Sequence, residues 1–241
     1  MTQQTLQVEL ERVLVVVAHP DDVDFGCAGS VAVWGDAGVQ VSYCILTDGD
    51  AGGFDEGITR LDMARLRREE QTSAAAKVGV SDIHFLGHPD GKLFPTLELR
   101  RDISRVIRQV RPQRVVCQSP ERNWQRIYAS HPDHLACGEA TLCAVYPDAR
   151  NPFAHPELLE EGWKEHVVAE VWLMGGPEPD TAVDITDAFD RKVAALRSHV
   201  SQVGHREDLE TMLREWSSGT ATTMGMPEGR LAEAFRIVPT G

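Results

Sequence analysis

Short apolar runs alternate with longer mixed stretches along the first half of the chain. The run Val13–Val17 is mostly β-branched, which is typical of a strand that is covered on both faces of a parallel sheet. The strands predicted from such runs are Arg12–Ala18, Gln40–Leu46, Asp82–Leu86, Arg114–Gln118 and, later, Val167–Leu173. The predicted helices are Ala28–Ala37, Leu61–Lys77, Leu97–Gln109, His134–Val145 and Asp187–Val203, with Gly38 and Gly79 where two of them would end.

This alternation predicts an α/β fold with a mainly parallel sheet and right-handed crossovers. The length of 241 residues suits a single domain, 1–241, with a core over 1–145 and loops plus a small C-terminal lobe over 146–241. Within the second part, Tyr146–Lys164 is predicted to be a long surface loop that borders the functional crevice. The polar segment Gly204–Met226 is interpreted as a mobile lid or an oligomer contact, so a homo-oligomer stays open.

Composition narrows the classes of function. Apolar residues make up 42% of the chain and charged residues 25%, as in ordinary soluble proteins, and the net charge of −13 argues against a nucleic-acid partner. The five cysteines form no C-x-x-C pair, which is typical of reduced residues in a cytosolic protein. The sequence opens without a basic or long apolar segment, and no stretch has the length of a membrane span. We therefore expect a cytoplasmic protein with no membrane partner.

A histidine and two carboxylates follow the first predicted strand at once. They are His19, Asp21 and Asp22, and the glycines Gly26 and Gly29 come after them. In open α/β sheets, ligands bind in the crevice at the carboxyl ends of the strands. The first strand is therefore expected to deliver an imidazole and two acids into a functional crevice.

A second cluster, His131-Pro132-Asp133-His134, supplies the groups that a metal site would need. Catalytic zinc sites combine three protein ligands with one open position, and His and Asp are suitable ligands. His19 and Asp22 stand three residues apart on a turn, so both can face one point. His134 would complete the set. The two clusters together predict a metal site.

Three residues of the two clusters remain for proton transfer and support. Asp21, beside a metal ligand, is placed to take a proton from water as a general base. His131 as an imidazolium could stabilise an oxyanion or protonate a leaving amine. Asp133 is predicted to hold His131 or His134 in orientation.

Other interpretations of these residues are open at this point. Asp and Pro also favour turns and helix caps, so either cluster alone could be purely structural. Two histidines and one carboxylate are also the ligand set of non-haem iron oxygenases, so Fe²⁺ or another divalent metal is the alternative to Zn²⁺. Such oxygenases typically have an all-β scaffold, which this pattern does not predict. A third hypothesis is a nucleotide-binding module, but Gly26 and Gly29 lack the G-x-G-x-x-G spacing that is typical of such modules.

Several motifs together resemble one family. A-H-P-D-D (18–22) with G-C-A-G (26–29), and H-P-D-H (131–134), resemble the paired motifs of the PIG-L/LmbE-like N-acetylglucosaminyl deacetylases. Further similarities are an R-x-x-E helix at Arg67–Glu70, an L-G-x-x-D-G loop at Leu86–Gly91, and a K-x-x-A…H-x-S-Q helix at Lys192–Gln202. The resemblance covers nearly the whole chain and is weakest after Gly204.

The resemblance implies a Rossmann-like three-layer fold and zinc-dependent removal of an N-acetyl group from an amino sugar or its conjugate, a small-molecule substrate. The zinc ligands that it implies by matching positions are His19, Asp22 and His134. It also implies that Asp21 is the general base and that His131 stabilises the tetrahedral intermediate or acts as an acid.

Two further positions follow from the same resemblance. Arg67 matches a position that can contact substrate in relatives. Some relatives carry a Tyr two residues before the second motif, where this chain has Ala129, and Tyr128 stands one residue earlier. Tyr128 is therefore not expected to reach the oxyanion in the same way.

Overall fold

The first apolar run forms the central strand of the sheet, β1 (Arg12–Val17). The computed structural model describes residues 9–55 and 57–241. Within these residues, the strands that pair in parallel with β1 or with one another are β2 (Gln40–Thr47), β3 (Asp82–His88), β4 (Arg114–Gln118) and β5 (Glu170–Met174). Two antiparallel strands, β6 (Thr181–Asp184) and β7 (Ala232–Pro239), extend the sheet, whose order is β3-β2-β1-β4-β5-β7-β6. The predicted α/β fold with a mainly parallel sheet is confirmed.

The helices connect the strands and continue into the C-terminal part. They are α1 (Asp22–Gly26), α2 (Ala28–Asp36), α3 (Arg60–Lys77), α4 (Leu97–Val110), α5 (Pro132–Cys143), α6 (Pro156–Glu160), α7 (Phe189–Arg197), α8 (Val200–Val203) and α9 (Leu209–Thr223). Two of the long helices begin at threonines whose hydroxyls accept a backbone N–H in the first turn, Thr59 before α3 and Thr96 before α4. Such caps satisfy N–H groups that have no partner within the helix.

The alternation of side chains along β1 produces the three layers. Val13, Val15 and Val17 face a core shared with residues of α2, α3 and α7, whereas Leu14 and Val16 face a core shared with α4 and α5. All five side chains are fully buried, because successive residues of a strand point to opposite faces and both faces are covered. The strand is therefore fixed firmly in the middle of the molecule.

The order of the strands creates a crevice beside the end of β1. From β1 the chain builds β2 and β3 on one side, and it then crosses to place β4 on the other side. This reversal leaves the loops after β1 and β4 on opposite sides of a gap at the carboxyl ends of the strands, where open α/β sheets bind ligands. The two His/Asp clusters follow these two strands.

The C-terminal part differs from the predicted elements. The predicted helix Asp187–Val203 is interrupted: a 3₁₀ turn at Thr186–Ala188 leads into α7, and the backbone leaves helical geometry at His199 (φ −85°, ψ 61°) before α8. The segment Gly204–Met226, interpreted as a lid or an oligomer contact, contains α9, whose Leu209 and Leu213 pack in a third apolar core. The predicted loop Tyr146–Lys164 contains α6. The division into a core over 1–145 and a lobe over 146–241 stays a prediction.

A buried ion pair ties β7 to the first helices. Glu233 of β7 accepts hydrogen bonds from the N–H groups of Gly29 and Ser30 at 3.1 and 2.7 Å, at the start of α2. Its carboxylate also accepts from Nζ of Lys192 at 2.5 Å, and the side chains of this pair are only 4% and 2% exposed. Lys192 donates in addition to the carbonyl of Phe25. The antiparallel end of the sheet is thereby attached to the segment that follows the first cluster.

We expect Glu233→Gln to lower the free energy of unfolding by about 3–5 kcal/mol, because it leaves the Lys192 charge buried without a counter-ion. The measurement is the midpoint of denaturant unfolding. Glu210→Gln is the matched control, since Glu210 pairs with Arg197 at the surface and such pairs contribute at most about 1 kcal/mol. Equal midpoints for Glu233→Gln and the parent protein would contradict the expectation.

Among the described residues, no helix combines the length and the apolar character needed to cross a membrane.

Candidate active site

Asp22 lies between two imidazole rings at the end of β1. Its Oδ2 atom accepts the N–H of His19 at 2.7 Å and lies 3.2 Å from Nδ1 of the same residue. Its Oδ1 atom lies 3.0 Å from Nε2 of His134, at the start of α5. The loop itself is anchored across the crevice, because the N–H of Ala18 donates to Oε1 of Gln118 at the end of β4. The structure thus brings His19, Asp22 and His134 together, as the sequence predicted.

The other ring nitrogens of the two histidines have protein partners. Nε2 of His19 lies 3.1 Å from Oδ1 of Asp90 and 3.3 Å from Oδ2 of Asp133. Nδ1 of His134 lies 3.4 Å from the carbonyl oxygen of Ala129. Metal-binding histidines usually have such a partner on the second nitrogen, which fixes the ring and leaves the first nitrogen for the ion. The arrangement therefore presents Nδ1 of His19 and Nε2 of His134 on the side of Asp22.

Two imidazole nitrogens and a carboxylate are a donor set that fits a divalent metal ion. One ring nitrogen from each of His19, His131 and His134 also lies within 4.8 Å of the others. Catalytic zinc sites use three ligands of these types, and iron sites can use the same ones. The donor set therefore supports a metal site and leaves the identity of the metal open.

The electrostatics of the cluster favour positive charge on His19 and His134, whose pKa values are both raised. Burial lowers the pKa of His19, but the Asp22 charge and the hydrogen bonds that the protonated ring donates to Asp133, Asp22 and Asp90 outweigh it and raise that pKa to about 12. Burial also acts against ionisation of Asp22, yet His134 and His19 hold its pKa well below the usual range. The carboxylates that stabilise an added proton on these rings would equally stabilise a metal cation that takes the place of that proton.

Asp21 is separated from this group, although it is the next residue in the chain. Oδ2 of Asp21 accepts from Nη2 of Arg67 at 3.0 Å, and its N–H donates to Oε1 of Gln71 at 2.8 Å. Burial raises the pKa of Asp21 to about 6, although Arg67 opposes the shift. A raised pKa of this size suits a carboxylate that exchanges protons near neutral pH.

Arg67 is buried, with 4% of its surface exposed. Besides Asp21, its guanidinium donates to the carbonyl oxygens of Pro20 at 2.5 Å and Gly49 at 2.9 Å. Gly49 has a positive φ of 61°, and a Cβ atom there would lie 2.3 Å from Nη1 of Arg67. Arg67 therefore contacts protein oxygens on three sides, and its predicted contact with substrate stays a prediction.

His131 begins α5 and uses one ring nitrogen as the helix cap. Its Nδ1 atom accepts the N–H of Asp133 at 3.2 Å. The neutral ring therefore carries its proton on Nε2. The ring lies 5.2 Å, centroid to centroid, from that of His19. Burial and the neighbouring His19 and His134 lower the pKa of His131.

One prediction about a neighbouring residue is wrong, and one further residue joins the site. The carboxylate of Asp133, predicted to orient His131 or His134, contacts Nε2 of His19 instead, and it also accepts the N–H groups of Gly91 and Leu93 at 2.8 and 3.2 Å. These contacts hold it against the loop after β3, which faces the crevice from the other side. Asp90 on that loop was not predicted as a site residue, although it belongs to the L-G-x-x-D-G motif.

The rim of the crevice is formed by the segment before α5. Tyr128 is exposed, its hydroxyl accepts from Nε of Arg126 at 2.9 Å, and its ring stacks on Trp216 of α9 with 6.4 Å between centroids. Trp124 in the same segment is 80% exposed. Nε2 of His88, at the end of β3, lies 3.2 Å from Oδ2 of Asp102 in α4.

Comparison with known proteins agrees with these motifs. The sequence profile of the PIG-L family, described as GlcNAc-PI de-N-acetylase, matches residues 14–145. Diacetylchitobiose deacetylase of Thermococcus kodakarensis is 33% identical over 96% of this chain and 84% of its own length. A probable N-acetyl-alpha-D-glucosaminyl L-malate deacetylase 2 of Bacillus cereus is 32% identical over 80% of this chain and 84% of its own.

A solved structure shows the same fold. N,N'-diacetylchitobiose deacetylase from Pyrococcus horikoshii, complexed with its inhibitor MPG, superposes with a TM-score of 0.87 and 30% sequence identity, over 96% of this chain and 85% of that chain. The family profile spans more than half of the sequence, and a relative at 33% identity spans nearly all of it. The chain therefore belongs to the PIG-L family.

Proposed function

We propose that this protein is a metal-dependent N-deacetylase that hydrolyses the acetamido group of an amino sugar or amino-sugar conjugate. One observation carries the proposal: Asp22 lies between His19 and His134, whereas the carboxylate of the adjacent Asp21 contacts Arg67. The site thus offers a ligand set and, beside it, a separate carboxylate for proton transfer. The deacetylases among its relatives support the same reaction.

The metal ligands in this proposal are His19, Asp22 and His134, and the metal is Zn²⁺, with Fe²⁺ or another divalent ion as the alternative. When bound, the cation would supply Lewis-acid polarisation of the acetyl carbonyl and would make a water more acidic. Asp90 and Asp133 hold His19 in orientation from its far side. Such partners commonly raise the affinity for metal.

Asp21 is the general base in this mechanism. It accepts a proton from the attacking water, whose oxygen then bonds to the acetyl carbon. Nε2–H of His131 donates a hydrogen bond to the oxygen that becomes negative at that moment. When the C–N bond breaks, the proton on Asp21 is the one that the leaving nitrogen requires, and the products are acetate and a free amine.

We assign to Arg67 the task of holding Asp21 rather than that of binding substrate. Its guanidinium is buried and already contacts two backbone carbonyls and the Asp21 carboxylate. A substrate hydroxyl would have to compete with these contacts. Substrate recognition then falls to the crevice rim, where loops vary most within a fold.

The substrate class that we propose is N-acetylglucosamine linked to a second sugar or to a small polar group. Diacetylchitobiose and N-acetylglucosaminyl malate, named in the descriptions of two relatives, are of this class. The cytoplasmic location and a homo-oligomeric state stay predictions.

We expect acetate release from at least one member of a panel of N-acetylated amino sugars, their glycosides and N-acetyl-cysteinyl conjugates. Chelator-treated protein is expected to be inactive and to regain activity with Zn²⁺, because imidazole ligands favour Zn²⁺ over Mg²⁺ or Ca²⁺. Acetate is measured with a coupled assay, and buffer with metal alone is the control.

Two results would overturn the proposal. Full acetate release after chelation would remove the metal from the reaction. Oxygen consumption that depends on Fe²⁺, without acetate release, would favour the oxygenase that shares this ligand set. The α/β architecture already differs from the all-β scaffold typical of such oxygenases.

A further inference from the structure

Asp21 has a backbone conformation that L-amino acids rarely adopt. Its φ is 88° and its ψ is −25°, in the left-handed region. A residue other than glycine stays there only when its surroundings hold it. The carbonyl of Asp21 accepts the N–H groups of Asp24 and Phe25 at 2.9 and 3.0 Å, which starts α1. Its own N–H donates to the side chain of Gln71 at 2.8 Å.

The amide of Gln71 is fixed at both ends. Gln71 is fully buried; its Oε1 atom accepts from Asp21, and its Nε2 atom donates to Oδ2 of Asp24 at 2.9 Å. A backbone N–H can only donate and a carboxylate can only accept, so the flipped amide would lose both hydrogen bonds. Asp24 therefore determines that the oxygen of Gln71 faces Asp21.

His199 holds Asp24 in turn. Nε2 of His199 lies 2.8 Å from Oδ2 of Asp24, and both side chains are fully buried. His199 stands at the break before α8, and that helix is attached to α3 because Glu70 accepts the N–H and the hydroxyl of Ser201 at 2.7 and 2.6 Å. We call the three residues Gln71, Asp24 and His199 the support chain.

Helix α3 contacts Asp21 twice. Arg67 and Gln71 are four residues apart and therefore lie on the same face of the helix. Arg67 contacts the carboxylate of Asp21, and Gln71 contacts its backbone N–H. The contact to the backbone fixes the left-handed conformation, and the contact to the side chain directs the carboxylate.

We propose that Gln71 is a positioning residue for Asp21, and that Asp24 and His199 fix the orientation of its amide. The proposal deepens the proposed function, since it rests on Asp21 being the base. Without the Gln71 hydrogen bond, Asp21 can relax to an ordinary φ, and its carboxylate then moves relative to the reacting water. The three metal ligands do not contact Gln71, so metal binding does not depend on it.

We expect Gln71→Met, which keeps the length of the side chain and removes its amide, to lower kcat about 100-fold, as a displacement of about 1 Å can do. KM and bound metal are expected to stay at the parent values. Gln109→Met on α4, outside the site, is the matched control. An unchanged kcat would overturn the proposal, and so would a loss of metal in parallel with kcat.

A reversed pair tests the direction of the hydrogen bonds. In the double variant Q71E/D24N, the carboxylate introduced at position 71 still accepts the Asp21 N–H. The amide nitrogen introduced at position 24 stands in for Oδ2, and it donates one N–H to that carboxylate and the other to Nε2 of His199, which accepts in the neutral tautomer that carries its proton on Nδ1. The number of buried carboxylates stays the same. Q71E alone sets two carboxylates against each other and is expected to lower kcat, whereas D24N alone can keep both contacts through its amide oxygen. The double variant is expected to recover at least tenfold over Q71E. A double variant no more active than Q71E would overturn the proposal, even if Gln71→Met does not fold.

If the proposed function is wrong, the parent protein itself releases no acetate, a result that differs from those expected for the variants. In that case a crystal structure of metal-loaded Gln71→Met still decides the inference about position. A negative φ at Asp21 is expected, and an unchanged φ of about 88° would overturn it.

Discussion

Replacing Asp21 by Asn is expected to lower kcat by about 10²–10⁴-fold, the range that general acid–base catalysis contributes. Asn has nearly the same shape, and its amide oxygen can still accept from Arg67, so the loop keeps a partner for the buried guanidinium. An amide cannot take a proton from water near neutral pH. Metal content is expected to be unchanged, because the proposed ligands are His19, Asp22 and His134.

The measurements are kcat for acetate release and metal content by elemental analysis on the same sample. Asp62→Asn is a matched control on α3, because Asp62 lies at the exposed start of the helix and contacts Thr59 and Arg65. A variant that keeps full activity would show that Asp21 is not the base. A variant that loses the metal would show that the two adjacent acids do not have separate tasks.

His134→Ala is expected to weaken metal binding more than about 100-fold, since even partners outside the ligand set change affinity 10–100-fold. His134 supplies Nε2, which lies 3.0 Å from Asp22, and no other side chain on α5 provides a second imidazole at that position. Activity is expected to fall with occupancy and to recover in part at high metal concentration.

Metal affinity is measured by competition with a coloured chelator, and unfolding is followed in parallel to confirm that the variant is folded. His88→Ala is the control, because His88 is paired with Asp102 outside the cluster. Unchanged occupancy in His134→Ala would remove His134 from the ligand set and would leave His131, whose ring nitrogen is also close, as the candidate third ligand.

The meeting of the two His/Asp clusters could be predicted because their residues follow strand ends. His19, Asp21 and Asp22 come directly after an apolar run, and topology alone brings that strand end next to the end of β4. The place of these residues directly after two neighbouring strands therefore indicates that they lie close together at one edge of the sheet. The proposed roles of Asp21 and Asp22 also rest on the second cluster, because His134 completes the proposed ligand set and leaves Asp21 free.

The contacts that hold Asp21 and His19 in place could not be predicted in the same way. Gln71 and Arg67 lie on a polar helix whose residues look like an ordinary solvated face, and only the folded chain shows that both are buried against Asp21. Asp90 stands in a motif that was noted, but nothing in the sequence says that it contacts His19. Such contacts join distant segments, and a single sequence does not record which segments meet.

The elements at the antiparallel end of the sheet are also difficult to predict from the sequence alone. β7 contains Glu233 and Arg236 within an otherwise apolar stretch, so it reads as a mixed segment rather than as a buried strand. The Glu233 carboxylate is buried because Lys192 and the start of α2 compensate it. In α9, Leu209 and Leu213 have helical spacing, but the Ser, Gly and Thr residues that follow weaken the pattern.

The helix cap formed by His131 limits the chemistry that this residue can perform. A second proton on the ring would have to occupy Nδ1, which accepts the N–H of Asp133, and it would also stand at the positive end of the α5 dipole. The hydrogen bond at the start of α5 thus favours the neutral tautomer of His131 that carries its proton on Nε2. The imidazole can then polarise a carbonyl without giving up its proton, and in the proposed mechanism the leaving amine receives its proton from Asp21. Apart from the proposed metal ligands that both motifs supply, the first motif would then move the proton through Asp21 and the second would stabilise charge through His131.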